Sequence, residues 1–355
     1  MTDKVNLFGM TAGEIAAAVA PYGLEKYRGR QIAAWLYQRR VRDFAAMTDL
    51  PAGKRATLAA NFAAAAVTLQ AEQNAADGST SKFLLALTDG LAVETVLMVH
   101  DYGNSVCVST QVGCAMGCAF CASTLRGVER DLTAGEILAQ VLYADDHLRR
   151  QGAAAGVNSV VIMGSGEPLA NYDNVVKFIR LCHEPYCLGL SYRGFTLSTA
   201  GVVPGIDRLA AEGLPVTLAI SLHAPDDALR SRLMPVNRTW PLAAVLAAGD
   251  RYAAATGRRV TYEYTLIAGV NDSDAQAAAL AALLRGRLAN VNLIPVNPVP
   301  ERGLLRPDAA RVKAFQAVLA ARKVNATVRR EMGGDIRAAC GQLRHAVLSA
   351  QERQE

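Results

Sequence analysis

No stretch of this 355-residue chain reads as a membrane span. The longest uncharged run near its start, residues 56–71, is broken by Thr57, Asn61, Thr68 and Gln70. It also falls short of the roughly 20 apolar residues that a span needs. An apolar signal segment is missing too, since residues 1–8 already include Asp3 and Lys4. Aromatic residues are scarce, 6% with two Trp, in a composition that is 51% hydrophobic, which is ordinary for a globular protein. A disulfide framework is excluded by the odd number of cysteines, seven, in a chain without a secretory signal. Cysteines in that setting point to metal binding or catalysis. The expectation is a cytoplasmic protein with no membrane partner, long enough for about two domains.

The net charge of +5 is modest, but it is unevenly placed. Residues 1–60 hold 9 Lys+Arg against 5 Asp+Glu, and residues 301–355 hold 11 against 6, whereas the middle holds 17 against 21. Two basic ends around a slightly acidic centre form either a solvated surface or an electrostatic footprint for a nucleic acid.

The first 60 residues carry helical periodicity. Thr11 followed by Glu14 is a capping box, and further helices are predicted over 28–41 and 51–67. From 81 to 110 the pattern changes to short apolar runs, 83–87, 92–99 and 105–108, joined by turn residues at Asp89-Gly90 and Tyr102-Gly103-Asn104. Beyond Thr110, strand-like runs (159–163, 195–198, 216–221, 260–266, 291–295) alternate with helix-like ones (133–150, 173–182, 205–212, 225–233, 241–256, 273–284, 308–323). Such alternation builds a parallel sheet flanked by helices, and many units in one domain suggest a barrel or partial barrel. Functional residues then belong at the carboxyl ends of the strands.

The chemistry starts at Gly113-Cys114-Ala115-Met116-Gly117-Cys118-Ala119-Phe120-Cys121, a Cys-x3-Cys-x2-Cys loop with an aromatic residue before the third cysteine. Three thiolates on a short loop hold three irons of a [4Fe–4S] cube and leave the fourth iron open. The competing reading is zinc. A structural zinc site wants four ligands, usually as paired short spacings, and here there is no second Cys-x2-Cys and the nearest histidines are His100 and His147.

This loop resembles the hallmark of the radical S-adenosylmethionine (SAM) enzymes. The resemblance implies that the open iron chelates SAM, which is cleaved to a deoxyadenosyl radical, with the protein supplying position and exclusion of water. Gly164-Ser165-Gly166-Glu167-Pro168, after the strand 159–163, is similar to the superfamily's Gly-Gly-Glu-type motif. The resemblance implies SAM contacts at Gly166 and Glu167, and further ones at Ser198, Ser221, Leu222, His223 and Asn297, which stand at or just past strand ends.

Over almost the whole chain the sequence resembles one subfamily, the RlmN/Cfr adenine methyltransferases of 23S ribosomal RNA. The match includes Glu94-Thr95-Val96 and Cys107-Val108-Ser109-Thr110-Gln111-Val112-Gly113-Cys114. It continues in Leu197-Ser198-Thr199-Ala200-Gly201-Val202-Val203-Pro204 and Ala219-Ile220-Ser221-Leu222-His223-Ala224-Pro225, and closes in Gly334-Asp335-Ile336-Arg337-Ala338-Ala339-Cys340-Gly341-Gln342-Leu343. The fold implied is a partial (β/α)6 TIM-like barrel with a small helical N-terminal accessory domain. The corresponding divisions are 1–70 for the accessory unit, 71–108 for a β-rich connector, 109–330 for the barrel and 331–355 for a C-terminal segment.

The resemblance also implies a mechanism that uses two SAM per turnover. One methylates Cys340, and the radical from the second takes a hydrogen from that S-methyl group. The resulting carbon adds to adenine C2, a base removes the ring proton, and Cys107 attacks Cys340 to release the product and leave a disulfide. The residues agree with this scheme. Adenine C2 is not nucleophilic, so direct displacement on SAM fails there, and a covalent carrier divides the reaction into feasible steps. Glu94 is the candidate base, whereas Cys182 and Cys187 receive no role.

The partners implied are 23S rRNA, tRNA and an electron donor such as flavodoxin, and the chain is expected to be a monomer. Arg28, Arg30, Arg39, Arg40, Arg329 and Arg330 are candidate phosphate contacts. Methylation at C8 on the same scaffold is the near alternative, although Ala122-Ser123-Thr124-Leu125-Arg126-Gly127 is closer to the C2 enzymes. From other classes come a non-catalytic zinc-dependent RNA-binding module and an activase that places a radical on a partner protein.

Overall fold

The computed structural model describes residues 4–297 and 299–329. The N-terminal unit consists of β1 (Val5–Asn6), α1 (Ala12–Val19), α2 (Arg28–Tyr37), α3 (Ala52–Asn61) and β2 (Phe62–Ala63). The expected capping box is present, with Glu14 N–H donating to Thr11 Oγ1 at 3.2 Å and Thr11 N–H donating to Glu14 Oε2 at 2.7 Å. α3 stops at Asn61, short of the predicted 67, because the chain turns there into β2, which pairs in parallel with β1.

Four antiparallel strands follow: β3 (Thr68–Asn74), β4 (Thr80–Ala86), β5 (Ala92–His100) and β6 (Gly103–Cys107). β3 has no counterpart among the predicted strands. It is an almost fully exposed edge whose polar sequence shows no alternation, and pairing to β4 is what makes it a strand. A small hairpin, β7 (Gln111–Gly113) and β8 (Val128–Asp131), leads into α4 (Ala134–Arg150).

Strands and helices then alternate: β9 (Val157–Ile162), α5 (Tyr172–His183), β10 (Phe195–Thr199), α6 (Val203–Ala211) and β11 (Thr217–Ser221). After α7 (Asp227–Leu233) and α8 (Leu242–Thr256) come β12 (Val260–Leu266), α9 (Asp274–Leu284), β13 (Ala289–Pro295), α10 (Ala309–Ala321) and β14 (Ala326–Val328).

Ten strands form one sheet in the order β14-β13-β12-β11-β10-β9-β6-β5-β4-β3. From β6 through β9 to β14 every neighbour is parallel. β6, β9, β10, β11, β12 and β13 are each followed by a helix on the way to the next parallel strand, which is a (β/α)6 arrangement with β14 added at the edge. Among the described residues β3 and β14 stay as free edges, so the barrel is partial. Its first parallel strand, β6, lies within the 71–108 stretch, and the antiparallel strands continue the same sheet.

Alternate residues of each strand lie under the helices. Leu97, Val106, Val160, Leu197, Leu218, Tyr262 and Leu293 are all at most 1% exposed and join one core that also takes in Ile15, Ile32 and Leu36 of the N-terminal unit. Each such side chain contributes roughly 1.5–3 kcal/mol by leaving water. The N-terminal unit is further tied to the barrel by Arg40, which reaches Asp145 (2.7 Å) and Asp146 (3.1 Å) of α4, and by Lys177 to Glu14 (2.7 Å).

Candidate active site

Side chains alternate across a strand, so the residues between those core positions face the other, concave side of the sheet. The register carries this face from strand to strand. Lys82 lies opposite Val96, Val96 opposite Cys107 and Cys107 opposite Val161. Farther along, Ser221 lies opposite Glu263 and Glu263 opposite Asn292. Lys82, Glu94, Cys107, Ser198, Ser221, Glu263 and Asn292 therefore share the inner face, which is polar where the helix-covered face is apolar.

The three loop cysteines sit in the hairpin between β7 and β8. Gly113 closes its base at φ +80, and a Cβ there would lie 2.0 Å from the Gly127 carbonyl oxygen, so only glycine fits. Cys114 N–H donates to Gly127 O at 2.8 Å, and Ala119 N–H donates to Leu233 O, also at 2.8 Å. Thr124 Oγ1 donates to the carbonyls of Cys118 (3.2 Å) and Cys121 (3.0 Å), and Arg302 donates to Thr124 Oγ1 at 2.8 Å. The loop rests on a separate apolar cluster in which Cys118 packs with Ala200, Ala224, Leu229, Leu233 and Met234.

Burial, with Cys121 and Glu167 adding to it, pushes the Cys114 thiol up to about 11, against backbone hydrogen bonds from Met116 and Gly166 that favour the thiolate. Burial raises Cys118 further, and the neighbouring Cys121 and Cys114 add to the rise. Two buried thiols that resist ionising, with Cys121 beside them, are a donor set that an iron–sulfur cluster's positive charge would satisfy, because metal binding displaces the protons. Among the described residues no three His, Cys, Asp or Glu side chains close around a single ion. The fit to the cluster thus rests on the chemistry of the thiols and on the loop that presents them.

The segment 164–168 is stapled to the residues just before this loop. Ser165 N–H donates to Ser109 Oγ (3.0 Å), Ser165 Oγ to Gly113 O (3.0 Å), and Glu167 N–H to Gln111 Oε1 (2.8 Å). Gly166 has φ +108, and a Cβ there would meet Gln111 and Thr110 at 2.7 Å. Glu167 is buried. Its carboxylate accepts from Ala200 N–H (2.7 Å) and Leu169 N–H (3.0 Å), and burial raises its pKa. It thereby ties the end of β9 to the end of β10, and a carboxylate still has lone pairs for a ligand.

At the end of β11, Leu222 and His223 donate their N–H groups to the Glu263 carbonyl at 3.0 and 3.3 Å. His223 is a non-glycine residue at φ +59, a left-handed conformation that costs on the order of 1–3 kcal/mol. Its Nδ1 accepts from Thr265 N–H at 2.8 Å, which puts the ring proton on Nε2. Burial and the nearby Arg230 push its pKa down to about 3, so the ring is neutral. Its edge meets the Phe120 ring at 4.7 Å between centroids, joining this strand end to the cysteine loop. Asn297 is half-buried just past β13.

Cys107 ends β6 and is buried. Glu94, on β5, is buried as well, and Lys82 Nζ stands 3.0 Å from its Oε2. Cys340 and Arg330 lie outside the described residues. Among the arginines expected to meet phosphates, Arg30 is exposed, Arg28 pairs with Glu25 (3.3 Å), and Arg39 stacks over Trp35 at 4.0 Å. Arg40 is a correction, because its guanidinium is 11% exposed and spent on Asp145 and Asp146.

Sequence reasoning missed four residues. Lys82 and Glu263 are charged residues of buried strands, Asn292 donates to Glu263 Oε2 at 2.8 Å, and Arg230 is fully buried. Arg230 donates to the carbonyls of Ala200 (2.7 Å), Ser221 (3.0 Å), Leu222 (3.2 Å) and Trp240 (3.2 Å) and to Asn237 Oδ1 (2.8 Å). A strand position facing the wrong way for its polarity was the available signal for the first three. For Arg230 the sequence offered none.

The comparisons with known proteins agree with this geometry. The radical SAM superfamily model matches residues 108–281, and the model of the ribosomal RNA large subunit methyltransferase N-terminal domain matches residues 5–63. A probable dual-specificity RNA methyltransferase RlmN of Symbiobacterium thermophilum is 54% identical over 338 residues, 95% of this chain and 90% of that protein. The like-named protein of Desulforamulus reducens is 48% identical, with 96% of each chain covered. A solved radical SAM methyltransferase from Sphaerobacter thermophilus superimposes with a TM-score of 0.91 at 47% identity, covering 95% of this chain and 98% of that one.

Proposed function

Because this chain belongs to the RlmN family of RNA methyltransferases in the radical SAM superfamily, we propose that it methylates C2 of an adenine in 23S rRNA, and in tRNA, with Cys340 as methyl carrier. Its cofactors are a [4Fe–4S] cluster and SAM. When bound, they supply a radical able to take hydrogen from an unactivated methyl group. Cys114, Cys118 and Cys121 would hold the cluster. Gly166, Glu167, Ser198, Ser221, Leu222, His223 and Asn297 would line the SAM site.

One observation carries the reading above the others. A three-thiol hairpin sits at the strand ends of a sheet whose concave face bears both Cys107 and Glu94. The Cys340 sulfur takes a methyl group and delivers its carbon to adenine C2. Glu94 receives the C2 proton. The Cys107 thiolate attacks the Cys340 sulfur, so that an S–S bond forms, the S–C bond breaks with its electron pair going to the carbon, that carbon takes up a proton to complete the methyl group, and the methylated adenine leaves. Reopening that disulfide requires a thiol reductant. The buried, apolar support of the loop keeps water from the reacting groups.

The adenine has to leave its stack to reach this face. The unit 1–70 contributes phosphate contacts, the strands of 71–108 run on into the sheet of the barrel, and Cys340 belongs to the segment 331–355. The enzyme works as a cytoplasmic monomer with an electron donor of the flavodoxin kind. Among the described residues no helix is long and apolar enough to cross a membrane.

The test is anaerobic purification with iron and sulfide counts, then incubation with 23S rRNA or tRNA and SAM, with the methyl position mapped by mass spectrometry and NMR. About four irons per chain and 2-methyladenosine are expected. 8-Methyladenosine, or a colourless protein with one zinc, would overturn the reading. Cys340→Ala is expected to abolish methylation while SAM cleavage survives to some degree.

A further inference from the structure

Glu94 is held by a residue that the scheme above does not use. The Lys82 side chain is 0% exposed, and its Nζ lies 3.0 Å from Glu94 Oε2, itself 6% exposed. Lysine is almost never fully buried, because removing an ammonium from water is costly. A buried ion pair kept only for stability is commonly replaced by apolar residues at no loss. Its place is therefore informative. Both charges are on the concave face. Lys82 of β4 lies opposite Val96 of β5, and Val96 lies opposite Cys107 of β6. Lysine, carboxylate and thiol thus occupy neighbouring positions on three adjacent strands, each strand about 4.8 Å from the next.

We infer that Lys82 is a positioning residue for methyl transfer, whose buried ammonium fixes the Glu94 carboxylate in place to take the proton from adenine C2. This rests on the reading of Glu94 as the base. In that step the C2–H bond breaks, its electron pair stays in the ring and the proton goes to a Glu94 oxygen, while the odd electron brought by the added carbon would return to the iron–sulfur cluster oxidised in SAM cleavage, so that aromaticity is restored. Lys82 keeps its own protons. Before the step the pair is neutral. Afterwards Glu94 no longer balances the lysine, and the wall beside Cys107 carries one more positive charge.

The experiment compares wild type, Lys82→Met, Lys82→Arg and Glu94→Gln as cluster-loaded full-length enzymes, with RNA and SAM, between pH 6 and 10. Three quantities are read: methylated RNA, 5′-deoxyadenosine, and protein–RNA adduct that survives denaturation. An adjacent cation lowers a carboxyl pKa by 1–3, and burial without one raises it. For Lys82→Met, methylation at pH 7 is expected to fall roughly 10–100-fold and to recover as pH rises, because a buried carboxylate without its cation is harder to ionise. 5′-Deoxyadenosine formation stays near wild type, and adduct accumulates. Lys82→Arg restores most of the methylation.

A wild-type pH profile without adduct in Lys82→Met overturns the inference, provided that Glu94→Gln stalls with adduct. If Glu94→Gln methylates normally, the base assignment itself has failed, and the inference falls with it. Where Lys82→Met does not fold, Lys82→Gln, which still hydrogen-bonds but has no charge, carries the same expectation and the same refutation.

Discussion

Replacing Glu263 with Gln tests the electrostatics of the concave face. Burial raises this carboxyl from the ordinary 4.5 to about 7, against an opposing hydrogen bond from Asn292 and the charge of Arg329. In the unfolded chain the group ionises above about 4.5, but in the folded protein it stays protonated up to about 7. The folded state therefore binds more protons between these values, and the stability of wild type falls as pH rises through the window. The whole penalty is about 3 kcal/mol and is complete above pH 7. Glutamine has the same shape and does not ionise. Its advantage over wild type should grow by about 2 kcal/mol between pH 5.5 and pH 8. The assay is anaerobic denaturant unfolding of both cluster-loaded proteins at the two pH values, read from the midpoints at equal slope. A stability difference that is the same at both pH values, or one that shrinks toward pH 8, would refute the reasoning.

Other substitutions test other parts of the account. Arg230→Met leaves the carbonyls of Ala200, Ser221 and Leu222 without their donor, and should cost about 3–5 kcal/mol in unfolding experiments and weaken SAM binding measured by equilibrium dialysis. Gly113→Ala forces a Cβ onto the Gly127 carbonyl at positive φ, so iron per chain should drop well below that of wild type after identical reconstitution. Replacing Arg28, Arg30 and Arg39 together with Ala should reduce the slope of log affinity for RNA against log salt by about 2–3. Arg40→Ala should leave that slope unchanged and instead lower stability by about 1–3 kcal/mol, because Asp145 loses one of its two arginines but keeps Arg149 (2.9 Å) and the Val157 N–H (3.0 Å).

What the sequence revealed, and what it concealed, follows from where the physics is local. The strands β9 to β13 and their helices were legible because their apolar periods are local, and some of the helices also carry a capping pair, such as Thr133 with Glu136 and Ser273 with Gln276. β3 was not, since an exposed Thr-Leu-Gln-Ala-Glu-Gln-Asn edge has no pattern without its neighbour. The cysteine loop and Cys107 were legible from spacing and from resemblance. Lys82 was not, because a lone lysine in a short strand reads as solvent-facing until the register shows which side it occupies. Arg40 was misread for the opposite reason. It looked like one more basic surface residue, and the fold places it against two aspartates 105 and 106 positions away.

The central claim is that the transferred carbon passes through Cys340. It is tested most directly by a single turnover of enzyme carrying a trideuteromethyl group on its sulfur, with unlabelled SAM and RNA. The account predicts that the first 2-methyladenosine formed contains two deuteriums, the third having gone to 5′-deoxyadenosine. A first product whose methyl group carries no deuterium would mean that the carbon came directly from SAM in solution, and would contradict the account.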